Sequence, residues 1–357
     1  MIAALTLLCL AAAPMSERPP APTSDAEKPP LAVADSQRGL SRYQYEQVHM
    51  GTRFRMVLYG RDQETANQAA QAAFDRITQL DKVLSDYDPQ SEISRLSAGS
   101  PSPQPVRISD DLWPVLWQAQ ELARRSDGAF DATAGPLTTL WRAARRNGKL
   151  PADEALAAAR KAAGYQHLGL NDGTHTARLL RGSMRIDLGG IAKGYAADEA
   201  LAVLAKRGIT QALVAAGGDI AVAAPPPGRA GWRIVIAPLR KDDGTILSPA
   251  RTLLVAQAGV STSGEAEQHV DIGGVRYSHI VDPRTGLGLT THSSVTVVSP
   301  RGILSDGLAT AVSVLGPTKG LELLAAAPGV QGLVVVADGD RASTHATRGF
   351  ARLESAN

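Results

Sequence analysis

The chain has 357 residues, of which 44% are hydrophobic, so it is long enough to bury the core of one large domain or of two closely packed ones. Its 37 Lys and Arg residues nearly balance its 35 Asp and Glu residues, which argues against a nucleic-acid binder or a basic membrane-binding surface. Cys9 is the only cysteine of the sequence, so the body of the chain can use no disulfide, thiolate nucleophile or thiolate metal ligand.

The N-terminal part of the sequence predicts a leader followed by a tether. The apolar run at residues 2–13 is too short to span a bilayer and is typical of a signal peptide, so residues 1–13 predict export. Lipidation of Cys9 is not favoured, because Leu8 stands where lipoprotein processing normally requires a small residue. Residues 14–41 are rich in Pro and Ala and predict a disordered tether.

Residues 42–350 predict a single domain that opens with two strands and a helix. The segments YQYEQVHMG and RFRMVLYG alternate apolar and polar residues as strands do, and apolar residues then recur at helical spacing over residues 64–84. The next predicted elements are a turn and a short helix within 85–96, a loop at 97–105, a helix at 110–126, a loop that opens a helix at 128–141, and a helix at 151–163.

Strands and helices are interleaved in the remaining sequence. A strand at 185–188, a glycine turn and a helix at 191–207 precede predicted strands at 212–216, 232–237, 252–260, 275–281 and 294–298. Helices at 306–314 and 318–325 precede a last strand at 332–337. Because the elements show no regular repeat, the predicted fold class is α+β, with mixed or antiparallel sheets flanked by helices.

The segment RIDLGGIAKG at residues 185–194 has features of a phosphate-binding turn. The predicted strand ends near Asp187, the glycines allow close approach of a ligand, and the following helix offers free N–H groups. Lys193 adds a positive charge in the first turn of that helix. The spacing matches neither a Walker loop nor a G-x-G-x-x-G motif. An ordinary glycine turn with a solvated lysine is the alternative.

Asp306 and Thr310 are separated by four positions, which places a carboxylate and a hydroxyl on one face of a helix. Together with a backbone carbonyl from a glycine turn, these oxygens form the kind of ligand set that Mg²⁺ prefers. In the alternative reading, Asp306 caps the helix and Thr310 bonds back to its own helix.

His279 lies in the segment YSHIVDPRTG, where strand alternation places Tyr277, His279 and Val281 on one face. An imidazole titrates near neutral pH and can accept the proton of an attacking hydroxyl. A packed strand histidine with satisfied hydrogen bonds is the alternative. The remaining histidines have no spacing that indicates a zinc site.

Several separated motifs, in the same order along the chain, resemble those of the ApbE-type FAD:protein FMN transferases. They are HMGT at 49–52, SDYDPQSEISRL at 85–96, GAFDATAGPL at 128–137, IDLGGIAKGY at 186–195, AAGGDI at 215–220, VSTSGE at 260–265, YSHIVDPRTG at 277–286 and SDGLATAVSVLG at 305–316. The resemblance extends from about Tyr45 to Gly316. One departure is Glu265, Ala266 and Glu267, which follow Ser263 and Gly264 where the family has an aromatic residue.

The resemblance implies an ApbE-like, T-fold-related architecture and Mg²⁺-dependent transfer of FMN from FAD to a threonine or serine hydroxyl of an acceptor flavoprotein, with release of AMP. It implies that His279 is the catalytic base and that the magnesium ion is held by the carbonyl of Gly190, Asp306 and Thr310. It also implies a FAD pocket lined by Met50, Tyr87, Ala129, Phe130, Asp131, Asp187, Lys193 and His279.

Two other functions remain compatible with the same residues. A Mg²⁺-dependent FAD pyrophosphatase would use water in place of the acceptor hydroxyl, and a non-catalytic flavin-binding protein would leave FAD intact. The predicted leader indicates a periplasmic or cell-envelope protein, associated with the membrane if Cys9 is lipidated, and no membrane span is predicted in the mature body. The resemblance implies an acceptor protein in the envelope, such as a subunit of a respiratory ion pump or another electron carrier.

Overall fold

The computed structural model describes residues 33–35, 39–264 and 269–355. The predicted leader, Cys9 and most of the predicted tether lie outside these residues, as do Glu265, Ala266 and Glu267. Residues 33–35 of the predicted tether form a short strand. Among the described residues, no helix combines the length and the apolar character needed to cross a membrane.

The described part of the chain contains twenty strands and seven α-helices. The strands are β1 Val33–Asp35, β2 Leu40–His49, β3 Thr52–Gly60, β4 Val106–Arg107, β5 Leu168–Asn171, β6 Thr176–Leu179, β7 Ala212–Ala216, β8 Asp219–Val222, β9 Trp232–Ile236, β10 Leu239–Arg240, β11 Ile246–Ser248, β12 Arg251–Val255, β13 Ala258–Gly264, β14 His269–Ile272, β15 Val275–Ser278, β16 Val281–Asp282, β17 Leu287–Gly288, β18 Ser293–Ser299, β19 Gln331–Asp338 and β20 Arg341–Ala346. The helices are α1 Gln63–Leu84, α2 Glu92–Ala98, α3 Trp113–Arg125, α4 Gly135–Asn147, α5 Asp153–Ala162, α6 Ala192–Lys206 and α7 Gly302–Ala325.

A nine-stranded antiparallel sheet forms the centre of the fold, in the order β1-β2-β3-β7-β8-β13-β18-β19-β20. Side chains alternate between its two faces, because successive residues of a strand point in opposite directions. In β3, Phe54, Met56 and Leu58 join the core formed with the helices, whereas Val57 joins a second core on the other face. The predicted α+β class is therefore confirmed.

Different layers cover the two faces of the central sheet. Helices α1, α3, α6 and α7 pack on one face and bury the larger core. The β9–β12 ribbon and the 3₁₀ turn at Phe350–Leu353 pack on the other face. A third, smaller core joins α4 and α5 to the β16 strand through Trp141 and Val281. The candidate site lies where this third unit meets the helical layer.

The strand predicted at 252–260 is wrong because the chain turns inside it. Strand β12 pairs with β9 in the ribbon, while β13 belongs to the central sheet. Between them, Gln257 has a φ of 49°, a left-handed conformation that ends a strand. Apolar residues occur on both sides of this turn, so the sequence pattern alone could not reveal it.

The strand predicted at 185–188 is also wrong. This extended segment makes a single bridge, from Arg185 to Ala134, and the N–H of Asp187 donates to the Ala132 carbonyl at 2.7 Å. The neighbouring segment cannot continue the pairing, because it turns into α4 at Gly135. The predicted glycine turn and the helix after it are nevertheless present.

Helix α7 contains both helices predicted near the C-terminus. It begins at Gly302 rather than at Asp306, and it is interrupted at Gly316, whose φ is 74°. Asp306 therefore lies inside the helix, and the alternative in which it caps the N-terminus is wrong. The first N–H groups of α7 are instead bound by a residue of another helix: Asp198 of α6 accepts from Gly302 at 2.7 Å and from Ile303 at 3.0 Å.

Helices α6 and α7 cross at very short distance. A Cβ on Gly302 would lie 2.5 Å from the carbonyl oxygen of Gly194, and a Cβ on Gly194 would lie 2.8 Å from the Cβ of Asp306. Real side chains do not tolerate such contacts, so only glycine permits this approach. The crossing brings the start of α6 directly against the first two turns of α7.

We expect Asp198→Ala to lower the free energy of unfolding by about 1–2 kcal/mol, because it removes the acceptors for two N–H groups at a helix start. The measurement is chemical denaturation of the purified protein. Lys319→Ala, at an exposed position on α7, is the control. Equal stabilities of the two variants would show that the bonds from Asp198 contribute nothing to the position of α7.

Candidate active site

The glycine turn before α6 is fixed by bonds on both sides. Asp187 Oδ1 accepts the N–H of Gly189 at 2.8 Å, and Lys193 Nζ donates to the carbonyl of Gly189 at 3.0 Å. Helix α6 begins just after the turn, at Ala192. The backbone of this turn is therefore held in one conformation by a carboxylate and an ammonium group.

The turn lies against the face of α7 that carries Asp306 and Thr310. A Cβ built on Gly190 would be 2.8 Å from Thr310 Oγ1, so the Gly190 backbone approaches that hydroxyl closely. Asp306 lies one turn earlier on the same face and is 2% exposed. The structure thus brings together Gly190, Asp306 and Thr310, the three residues that the sequence suggested for a metal.

The N-terminus of α6 is in part occupied by a protein carboxylate. Asp306 Oδ2 accepts the N–H of Gly194 at 3.0 Å, so this group is not free for a phosphate as the sequence had suggested. A negative charge at a helix N-terminus is stabilised by the helix dipole. The α6 start therefore holds Asp306 in place, and a bound anion would have to use the glycine turn and Lys193.

Lys193 lies between two buried carboxylates. Its Nζ is 3.0 Å from Asp219 Oδ2 and 3.8 Å from Asp306 Oδ2. Burial lowers the pKa of Lys193, but the charges of Asp219 and Asp306 outweigh this effect and raise its pKa above the usual value, so Lys193 stays protonated. Burial and the nearby charge of Asp219 raise the pKa of Asp306 to about 7, against the opposing effects of Lys193 and the α6 N–H groups.

A second charged group lies beside the turn, on α4. Asp187 Oδ2 accepts from Thr138 Oγ1 at 2.6 Å and from Arg142 Nη2 at 2.7 Å. The other end of the Arg142 guanidinium binds Asp86, and its carbon lies 4.3 Å from the centre of the Tyr87 ring. We call Asp86, Tyr87, Arg142 and Asp187 the Arg142 cluster.

The segment of Ala129, Phe130 and Asp131 lies behind the turn rather than open to it. Ala129 and Phe130 are 1% and 4% exposed, and the Phe130 ring packs in the main core. Asp131 accepts from the N–H groups of Thr133 and Tyr165, at 2.7 and 2.9 Å, and burial raises its pKa. These side chains thus support the loop that binds the N–H of Asp187, and the Phe130 ring presents no open face for stacking.

Met50 lies at the tip of the β2–β3 hairpin, with φ of 49°. Its N–H donates to Asp81 Oδ2 at 3.2 Å, which ties the tip to the last turns of α1. Helix α1 ends at Leu84, just before Asp86 and Tyr87. Met50 is therefore held at the same end of α1 as the Arg142 cluster.

His279 is not part of a strand, so the strand predicted at 275–281 is wrong. Strand β15 ends at Ser278 because its side chain accepts the N–H of Ile280 at 3.1 Å, a local bond that competes with the strand ladder. His279 is half-buried in the resulting turn. Tyr277, two residues before His279, packs on Trp141 of α4, with ring centres 5.0 Å apart, so the strand that leads into this turn contacts the helix that carries Arg142.

The donor set at the α6–α7 crossing fits a hard cation. A carboxylate, a hydroxyl and a backbone carbonyl are all oxygen ligands, which Mg²⁺ prefers. Among the described residues there is no group of three or more His, Cys, Asp or Glu side chains arranged to hold a metal ion. A metal at this crossing would therefore depend on the hydroxyl and the carbonyl as well as on Asp306.

A family model described as the ApbE family matches residues 50–334, which includes every segment of the candidate site. The chain belongs to the ApbE family. Curated ApbE relatives include the FAD:protein FMN transferase of Treponema pallidum, which is 32% identical over 83% of this chain and 85% of its own length. The FAD:protein FMN transferase of Vibrio cholerae is 30% identical over 85% of this chain and 92% of its own length.

Solved ApbE structures have the same fold. The flavin transferase ApbE from Vibrio cholerae superposes with a TM-score of 0.78 at 28% identity, covering 88% of this chain and 99% of that structure. The apo form of the Pseudomonas stutzeri flavinyl transferase ApbE has a TM-score of 0.76 at 29% identity and covers 89% of this chain and 98% of that structure. The match thus includes nearly the whole length of these ApbE proteins.

Several residues of the site were missed by sequence reasoning. Asp219 and Asp86 both stand in motifs that carried the ApbE resemblance, AAGGDI and SDYDPQSEISRL, and an acidic residue within such a motif was an available signal. Arg142 and Thr138 had no such signal, because their partner Asp187 is distant in sequence. Only the packing of α4 against the glycine turn reveals them.

We expect Gly190→Ala to weaken Mg²⁺ binding, because the new Cβ would push the Thr310 hydroxyl out of position. The measurement is a calorimetric titration of the purified protein with Mg²⁺. Asp306→Asn should weaken Mg²⁺ binding in the same assay. Gly169→Ala is the control, since a Cβ there has only ordinary contacts of 3.8 Å or more. Unchanged Mg²⁺ binding in both site variants would place the metal elsewhere.

Proposed function

We propose that the chain is a FAD:protein FMN transferase that uses Mg²⁺ and attaches FMN to a threonine or serine of an acceptor protein. The observation that carries the proposal is the group formed by Gly190, Lys193, Asp306 and Thr310, where oxygen ligands and a permanent cation meet beside a rigid glycine turn. Membership of the ApbE family, whose curated relatives are named for this activity, supports it.

The proposed reaction is the displacement of AMP by a protein hydroxyl. The oxygen of the acceptor hydroxyl forms a bond to the phosphorus of the FMN half of FAD, and the bond from that phosphorus to the bridging diphosphate oxygen breaks. AMP leaves with that oxygen, and the hydroxyl proton passes to His279. Positioning and charge stabilisation provide most of the catalysis in reactions of this type.

The residues of the site divide this work. Gly190, Asp306 and Thr310 would hold Mg²⁺, which supplies positive charge beside the diphosphate when it is bound. Lys193 keeps its proton and holds the Gly189 carbonyl, so it fixes the turn and adds charge at the same place. Because these groups are in position before substrate binds, little reorganisation is needed as charge develops on the diphosphate.

The activity can be tested by incubating the purified protein with FAD, Mg²⁺ and a candidate acceptor. A fluorescent acceptor band with release of AMP supports transfer. Free FMN without a labelled acceptor would indicate a pyrophosphatase, and FAD that remains intact would indicate a binding protein. Acceptors can be found by mass spectrometry of envelope proteins from cells with and without the gene, as an FMN mass on threonine or serine.

We expect His279→Ala to reduce the transfer rate by about 10²–10⁴-fold while FAD binding changes little, because a general base acts on the hydroxyl rather than on FAD. Transfer is followed by in-gel flavin fluorescence and FAD binding by fluorescence titration. His345→Ala, on β20, is the control. Transfer at the wild-type rate by His279→Ala would exclude this residue as the base.

We also propose that the protein is exported and acts in the cell envelope, on the basis of the apolar run at residues 2–13. Cell fractionation should then find the protein in the periplasm or in the membrane fraction. Mass spectrometry of the purified mature protein would show whether Cys9 is retained and lipidated. A protein found wholly in the cytosol would contradict this proposal but not the proposed reaction.

A further inference from the structure

The Arg142 cluster contains a cation shared by two buried carboxylates. The side chains of Arg142, Asp86 and Asp187 are 18%, 9% and 8% exposed. Burial and the nearby negative charge of Asp187 raise the pKa of Asp86. Arg142 is the group that allows them to lie side by side, because removal of one partner from a buried ion pair leaves an uncompensated charge.

The same guanidinium supports an aromatic ring that is open to solvent. It lies 4.3 Å from the centre of the Tyr87 ring, within the range of a cation–π interaction, yet Tyr87 is 74% exposed. One face of the ring is therefore covered by Arg142, and the remaining surface of the ring is free. A large aromatic side chain held at the surface in a fixed orientation is suited to stacking on a planar ligand.

The other side of the cluster is joined to the glycine turn. Both oxygens of Asp187 accept bonds from the protein, Oδ1 from Gly189 and Oδ2 from Thr138 and Arg142. Asp187 is therefore engaged in holding the turn. Through this carboxylate, a single guanidinium connects the exposed Tyr87 ring to the turn that leads to Gly190.

We infer that Arg142 is a positioning residue for the flavin end of FAD: it orients the Tyr87 ring for stacking of the flavin ring system and keeps that ring at a fixed distance from the glycine turn. This inference rests on the proposed function. The arrangement places an aromatic surface at one end and the diphosphate-binding groups at the other, as FAD carries its flavin ring and its diphosphate at opposite ends of a ribityl chain.

Arg142 would make the same bonds to Asp86 and Asp187 if its role were only structural. Measurements of ligand binding distinguish this structural role from a role in positioning the flavin. The probes are FMN, which carries the flavin ring, and ADP, which carries a diphosphate without it. Asp187 keeps its bonds to Thr138 and Gly189 when Arg142 is replaced, so the turn should persist. If Arg142 positions the flavin, its replacement should therefore weaken the binding of FMN much more than the binding of ADP.

We expect Arg142→Met to weaken FMN binding about tenfold, which is about 1.4 kcal/mol, and ADP binding less than about twofold. Tyr87→Leu should weaken FMN binding to a similar extent, and the Tyr87→Leu, Arg142→Met double variant should lose little more than either single variant, since both changes remove one stacking surface. Arg146→Met, at an exposed position of α4, is the control.

Arg142→Met removes the positive charge between two buried carboxylates, which can impair folding. A second variant then tests the inference. Asp86→Asn combined with Arg142→Met restores the net charge of the cluster, and it should recover thermal stability while FMN binding stays weak. Two results would overturn the inference and leave the proposed function intact. One is wild-type FMN affinity in Arg142→Met, and the other is recovery of both FMN affinity and thermal stability in the Asp86→Asn, Arg142→Met variant. A wild-type protein that binds neither FMN nor FAD would overturn both.

Discussion

The candidate site depends on how closely α6 approaches α7. The two backbones meet at Gly194 and Gly302, where any side chain would separate the helices. Separation would also move Gly190 away from Thr310, because the glycine turn precedes α6 directly and Thr310 lies on α7. Asp198 supports the same crossing by binding the first N–H groups of α7. The positions of the carbonyl and the hydroxyl are thus set by backbone packing, which is more rigid than any arrangement of flexible side chains.

Charge balance around Lys193 would allow this buried site to bind the proposed Mg²⁺ ion and diphosphate together. When both carboxylates are ionised, Asp219, Asp306 and Lys193 together carry one negative charge in excess, and a divalent cation would convert this into one positive charge in excess. A diphosphate would then find a complementary charge. Without Lys193, two buried carboxylates would face each other uncompensated, which is strongly unfavourable. The lysine therefore stabilises the folded protein before any metal or substrate binds.

The sequence predicted those features of the site that depend on local spacing. Asp306 and Thr310 share a helix face because a separation of four residues always has this result in a helix. Asp219 and Arg142 could not be assigned in this way, since each contacts the site only through packing between distant segments. The wrong prediction of a strand at 185–188 has the same cause. The local sequence correctly predicted an extended segment, but an extended segment becomes a strand only if another strand lies beside it, and the local sequence does not show this.

The two ends of the proposed site are built differently. The groups proposed to bind the diphosphate lie at the buried crossing of α6 and α7, whereas Tyr87 and His279 lie in turns near the surface. The turn of His279 is nevertheless fixed, because Tyr277 packs on Trp141 and the Trp141 indole donates to the Gly286 carbonyl at 2.9 Å. Helix α4 thus carries Arg142 and also contacts the strand that leads to the proposed base, so it supports both the proposed flavin end and the proposed acceptor end of the site.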